Sequence, residues 1–335
     1  MKNPILTFSR PASISSYYSV VGNKEKEGPL GNLFNESSDD NKFGESTWEA
    51  AERQMQKRAL TGALSSAGLT EDQVDVVLGG DLLNQCVSSN YALSNLNIPY
   101  LGLYGACSTC AEGLLLGAAL YSGGIVDVCQ TVTSSHFCAS ERQFRFPLEY
   151  GGQRTPTAQW TATGAGSFVL SGEGDVSITE ALIGRVVDKG ITDINNMGAA
   201  MAPAAIDTIT RFFSNSKHSP DYFDLIITGD LGYEGSEILK DLLLGRGIDI
   251  RKNHTDAGLM IFDREGQDVH AGGSGCGCSA VVMAADIIPN LEKGVLKDVL
   301  FLGTGALMSP VTLYQGESIP GICHLVHLSS KRGTI

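Results

Sequence analysis

The chain has 335 residues, 42% of them hydrophobic and 18% charged, a composition that excludes disorder for most of its length and permits one large domain or two of ordinary size. A net charge of −13, with no stretch that gathers Lys and Arg, argues against nucleic acid as a partner. The longest apolar runs, residues 113–126 and 279–288, fall short of the ~18–20 residues a bilayer span needs, and the first ten residues lack the apolar region of a secretory signal, so the protein is expected to fold where it is synthesised.

Taken in chain order, residues 1–45 read as a surface arm, with Lys24-Glu25-Lys26-Glu27-Gly28-Pro29-Leu30-Gly31 followed by an acidic, Ser-rich run from Asn35 to Asp40. A helix is predicted next. Ser46 or Thr47 can cap it, Glu49 completes a capping box with Ser46, and Trp48, Ala51, Met55, Ala59 and Leu60 recur at helical spacing to about Ala67. The segment Val74 to Asp81 is short, β-branched and ended by glycine, as a buried parallel strand would be.

Residues 223–231 repeat that strand in the same register, Asp75 matching Asp224 and Asp81 matching Asp230. Each copy leads through a helical segment to a Gly/Cys-rich turn that opens an apolar helix, at Gly105-Ala106-Cys107-Ser108 and at Gly273-Ser274-Gly275-Cys276-Gly277-Cys278-Ser279. Each then reaches a further strand, Asp127 to Thr133 and Asp298 to Gly303. Two similar α/β halves are expected, 1–175 and 176–335, with mostly parallel sheets covered on both faces.

The eight cysteines, mostly inside apolar segments of a chain too large to need disulfide staples, read as reduced thiols. Cys107 stands out because a strand-to-helix turn places its sulfur at a helix N-terminus, where free amides and the dipole favour thiolate. Such a thiol is a competent nucleophile only beside a base or an oxyanion hole; otherwise it is a small buried residue that suits a tight turn. His136 follows the next strand and Asp81 ends its own, which places Asp81, Cys107 and His136 at one rim if the three strands are neighbours. A strand-end Asp also serves simply to cap the following turn. Arg142, Arg145 and Arg154 come shortly after; an Arg fork suits a carboxylate, although a solvated or Glu-paired Arg is the more common case. The Gly-rich stretches lack the G-x-G-x-x-G spacing and there is no G-K-[ST], so no dinucleotide or P-loop site is expected. His324 and His327 lie in a segment that alternates like a closing strand, which separates metal ligands badly.

A duplicated α/β chain with a Cys at the first strand-to-helix turn and a Gly-rich turn at the matching place in the second half resembles the thiolase superfamily. The resemblance implies two such halves in an αβαβα layered sandwich. Lys24 to Gly31, Gly80-Asp81-Leu82-Leu83-Asn84-Gln85, Gly105 to Thr109, Ser134-Ser135-His136, Glu141-Arg142-Gln143-Phe144-Arg145, Gly184 to Asp188, Gly190 to Asp193, Met201 to Ala205 and Ala271 to Cys276 are similar, more narrowly, to the stage V sporulation protein AD family. That likeness implies a protein of endospore-forming bacteria that binds pyridine-2,6-dicarboxylic acid (dipicolinic acid), free or with calcium, and helps load it into the developing spore.

It also implies work with other proteins of the stage V sporulation A operon, peripherally at the spore inner membrane and otherwise in the cytoplasm, and a homodimer paired through the strand beside the Cys107 turn. Catalysis is not implied, because the second-half turn offers Ser274, Cys276 and Cys278 where thiolases place activating groups. The expected ligand-binding set is Asp81, Cys107, His136, Arg142, Arg145, Ser274 and Cys276, with no cofactor beyond calcium travelling with the ligand. An acyl-transferring enzyme with Cys107 as nucleophile is the alternative.

Overall fold

The computed structural model describes residues 4–144 and 152–331. Its strands are β1 (Ile5–Val21), β2 (Glu36–Ser37), β3 (Val76–Gly80), β4 (Tyr100–Gly102), β5 (Cys129–Ser135), β6 (Trp160–Thr161), β7 (Gly164–Ser171), β8 (Val176–Leu182), β9 (Leu225–Thr228), β10 (His254–Asp256), β11 (Gly273–Ser274), β12 (Asp298–Ala306) and β13 (Gly321–Ser330). All but β6 and β11, which pair with each other, lie in one sheet of order β10-β9-β12-β13-β8-β1-β7-β5-β3-β4, with β2 attached to β1.

Reading outward from the β8–β1 seam, the two halves have the same order, β1-β7-β5-β3-β4 on one side and β8-β13-β12-β9-β10 on the other. The repeat seen in the sequence is therefore a repeat of topology. Its first aspartate does the same job in both copies: Asp75 Oδ2 accepts from the amides of Asp127 and Val128, at 2.7 and 2.9 Å, and Asp224 Oδ2 from those of Lys297 and Asp298, at 2.7 and 3.0 Å. Each carboxylate fastens the start of its strand to the start of the neighbour.

The Trp48–Ala67 helix covers β1, β7 and β5 from outside, and the Met197–Phe213 helix covers β13 and β12 likewise. Between the sheet halves lies the Thr109–Ser122 helix, which touches β1, β3 and β5 of the first half and β12 and β13 of the second. Cys276–Val282, the matching helix, packs on β5, β7 and the first central helix. Helix, sheet, helix, sheet, helix is the α/β layering expected.

Two expectations about the frame need correction. Residues 1–45 are not a surface arm: β1 is the seam of the sheet, with Ala12, Ile14, Val20 and Val21 fully buried, and Glu25 is buried in the turn that follows. The many serines of β1 hid it, yet Ser13, Ser16 and Ser19 are buried and hydrogen-bonded to Ser177, to the Ala63 carbonyl and to Asn35. Nor is the sheet mostly parallel. β3, β4 and β5 are mutually parallel, as are β9, β10 and β12, but β7 and β13 return antiparallel and β1 meets both β7 and β8 antiparallel.

Candidate functional site

The Cys107 turn is held by its own side chains. Ala106 adopts φ +50, a left-handed conformation that is uncommon outside glycine and typical of strained functional turns. The Ser108 hydroxyl donates to the Gly105 carbonyl and that of Thr109 to the Ala106 carbonyl, both at 2.7 Å, and the helix begins at Thr109. Second-half strand β12 presses directly on this turn. A Cβ on Gly305 would lie 2.3 Å from the Gly105 carbonyl oxygen, so only glycine lets the halves approach this closely.

Cys107 forms part of the floor of a half-open pocket of about 490 Å³. Leu82, Tyr104 and Phe144 line it from the first half, and Met197, Met201 and Met308 from the second. The polar lining consists of hydroxyls, from Tyr104, Ser140, Thr161 and Ser274, together with the thiol itself; no Lys, Arg, His, Asp or Glu is among the described lining residues. The Cys107 thiol faces the Asp230 carboxyl, the Gly275 amide and the Ser274 hydroxyl. Burial, and then the neighbouring Asp230, hold it well above the ordinary thiol range. A neutral thiol results, which the helix N-terminus does not overcome.

Asp230 is the functional residue that sequence reasoning missed. Fully buried, it accepts through Oδ2 from the Gly275 amide at 2.8 Å and the Ser274 hydroxyl at 3.2 Å, and through Oδ1 from the Thr304 hydroxyl at 2.9 Å. Its own titration is raised by burial, against those bonds. The signal was present in the register that pairs it with Asp81.

The structure gathers only part of the expected set. Cys107 and Ser274 line the pocket, and Cys276 packs behind them with Leu82, its thiol donating to the Ser134 carbonyl at 3.0 Å. β5, β3 and β4 are indeed neighbours, so Asp81, Cys107 and His136 share a rim, but their side chains diverge. Asp81 takes the capping role: Oδ1 accepts from the Leu83 amide at 2.9 Å, and Oδ2 from the Ser89 amide and hydroxyl at 2.8 and 2.7 Å. His136 turns toward residues preceding the first long helix, with Nε2 bonded to the Asn41 carbonyl at 2.8 Å and its ring 5.5 Å from that of Trp48. Burial lowers its basicity.

Arg142 pairs with Glu49, so it is the Glu-paired surface Arg rather than a pocket fork. Arg145 lies outside the described residues. Arg154 sits over the Trp160 ring, 4.8 Å from its centroid.

None of the six histidines reaches the pocket. His254 faces the Thr228 hydroxyl at 3.1 Å, His324 Nδ1 accepts from the Gly184 amide, and His327 sits between Asp298 and Glu180. His218 stacks on Tyr222 and His270 pairs with Asp268. The elements that carry a nucleophile are thus in place, while the carboxyl of Asp230 stands where a base would have to face the thiol.

A family model described as stage V sporulation protein AD matches residues 3–329. The chain belongs to that family. It is 46% identical over 318 residues to stage V sporulation protein AD of Bacillus subtilis (strain 168), covering 95% of this chain and 94% of that one. Similar solved structures include the cerulenin-bound OleA of Xanthomonas campestris, with a TM-score of 0.59 at 13% identity over 97% of this chain and 98% of that one. Another is 3-oxoacyl-[acyl-carrier-protein] synthase III of Aquifex aeolicus VF5, with a TM-score of 0.54 at 12% identity over 95% and 99%. Both are thiolase-like, and at that identity the likeness concerns the fold. Among the described residues of this sporulation-family chain, no helix is long and apolar enough to cross a membrane.

Proposed function

We propose that the Cys107 pocket binds dipicolinic acid and that the protein supports the uptake of that ligand into the developing spore, without chemistry on it. The observation that carries this reading is the pairing of Cys107 with Asp230: a buried carboxyl beside the thiol keeps the sulfur protonated, and no imidazole is within the pocket to take its proton. A pocket without a nucleophile is a container. Its apolar walls suit the faces of a flat pyridine ring, and its hydroxyls and the Gly275 amide suit carboxylate oxygens.

The charge of the ligand sets a condition. The described lining supplies no cation, so the dicarboxylate enters with its charge already compensated, by calcium or by protons. We place the protein peripherally at the spore inner membrane, with other stage V sporulation A proteins. We also propose a homodimer through β4, the sheet edge beside the Cys107 turn, where Tyr91, Leu101 and Tyr104 are exposed.

Calorimetric titration of the full chain with dipicolinate, with and without calcium, tests the reading. Saturable binding that is stronger with calcium, and is weakened at least about tenfold by Ser274→Leu or Met201→Trp filling the pocket, is expected. Absence of binding in both conditions overturns it. Transfer of an acyl group from a coenzyme A thioester to Cys107 would establish the acyltransferase reading in its place.

A further inference from the structure

Asp81 and Asp230 end equivalent strands, yet only Asp81 fastens the chain that follows it, through the amides of Leu83 and Ser89. Asp230 accepts instead from Ser274, Gly275 and Thr304. The amides that follow Asp230 are taken by a different carboxylate. Asp256, fully buried at the end of β10, accepts from the Leu231 amide through Oδ2 at 2.8 Å and from the Gly232 amide through Oδ1 at 3.0 Å. Gly232 stands two residues beyond Asp230, as Leu83 does beyond Asp81.

The two turns differ in one neighbour. On the edge strand of the second half Asp256 lies opposite Thr228, and on the edge strand of the first half Gly102 lies opposite Gly79. Thr228 and Gly79 each precede the strand-end aspartate by two residues, so the counterpart of Asp256 is a glycine, which has no side chain to offer. In the first half Asp81 therefore holds its own turn. In the second, the Thr228 hydroxyl donates to Asp256 Oδ2 at 2.6 Å and the Gly258 amide to Oδ1 at 3.0 Å, which fixes the orientation of the carboxylate. Its bonds to Leu231 and Gly232 satisfy amides at the start of the Gly232–Leu244 helix, which has no side-chain cap of its own.

We propose that Asp256 is a positioning residue for the Cys107 site: by holding the amides of Leu231 and Gly232 it relieves Asp230 of capping and leaves the Asp230 carboxyl directed at the thiol. The inference rests on the pairing of Asp230 with Cys107 in the preceding reading. Asp256 does not line the pocket and acts through Asp230. Without it, two buried amides lack their acceptor and compete for the Asp230 carboxyl, as Leu83 and Ser89 occupy that of Asp81.

The test is the pH dependence of Cys107 alkylation in the full chain, followed on its own peptide by mass spectrometry in the parent, Asp230→Asn, Asp256→Ser and the double variant. Serine keeps an acceptor for the Gly258 amide at the start of the short Ala257–Met260 helix but is too short to hold Leu231 and Gly232 as well. Burial pushes the Asp256 carboxyl up to about 7, so it is ionised in the alkaline range where a thiol such as Cys107 titrates. Asp256→Ser should raise the alkylation rate at pH 8 at least about tenfold, toward that of Asp230→Asn, the change that one unit in the titration of the thiol produces. Added to Asp230→Asn it should have no further effect, and Cys129, buried on β5, should react no faster in any variant.

A response to Asp230→Asn with none to Asp256→Ser overturns this proposal alone. So does a further rise in the double variant, which would mark a loosened fold or a direct effect of the Asp256 charge. Indifference of Cys107 to Asp230→Asn overturns the pairing and the proposal with it. Should Asp256→Ser fail to fold, Asp256→Asn takes its place, since its single oxygen cannot serve both Leu231 and Gly232; a smaller rise is expected, and an unchanged rate overturns the proposal equally.

Discussion

Asp81 and Asp230 end equivalent strands of equivalent halves, 149 residues apart, and they do different things. Asp81 spends its carboxylate on the chain that follows it, capping Leu83 and Ser89. Asp230 reaches across to Gly275, Ser274 and Thr304 and ends beside Cys107. A duplicated fold keeps where a side chain starts and leaves open what it meets. The first half contributes the thiol and the second half decides its chemistry.

That comparison can be broken by substitution. Asp230→Ala and Asp81→Ala each strand three buried donors, so each should lower unfolding stability by about 3 kcal/mol in urea melts. A loss confined to one of the two would mean that the halves are not equivalent in stability.

Asp75→Ala and Asp224→Ala remove two amide bonds apiece at the solvent-exposed starts of β3 and β9. Each should cost about 1–2 kcal/mol, and the two costs should agree. The outer helices offer a smaller version of the same test. Thr47 accepts from the Ala50 amide at 3.3 Å and Asn196 from the Ala199 amide at 3.2 Å, so Thr47→Ala and Asn196→Ala should each cost about 1 kcal/mol.

The contact of His327 with Asp298 and Glu180 has no histidine counterpart among the described ion pairs of the first half. Burial alone would lower the basicity of His327, but its bonds to Asp298 at 2.8 Å and Glu180 at 3.4 Å outweigh it and the imidazolium is favoured. A base whose folded pKa is raised contributes stability that is full below the unfolded value of about 6.5 and is lost as pH rises through the folded value. Stability measured from pH 6 upward should therefore fall more steeply in the parent than in His327→Gln. Parallel curves would show that the pair contributes nothing.

Much of this arrangement was legible in the sequence. The register of Asp75 with Asp224 is a backbone-level pattern that pointed to two α/β halves, which share one strand order in the structure, whereas the αβαβα layering was implied by the thiolase-like resemblance. β1 was not legible because its buried serines read as surface polarity; they are satisfied only by partners 16 to 164 residues away. The grouping of Asp81, Cys107 and His136 rested on strand order, which held, while side-chain direction was decided by local donors at Leu83 and Ser89 and by the Asn41 carbonyl. Met197 and Met201, four apart on one helix face, could have been flagged as a wall, but nothing in their spacing said what they faced.

The pH dependence of Cys107 alkylation, followed on its own peptide by mass spectrometry in the parent and in Asp230→Asn, tests the central claim most directly. The account expects a parent thiol that is unreactive at neutral pH and titrates well above the ordinary cysteine range, with Asp230→Asn lowering that value and Asp81→Asn leaving it in place. A parent Cys107 that alkylates rapidly as a thiolate near pH 7, indifferent to Asp230, would contradict it and return the pocket to catalysis.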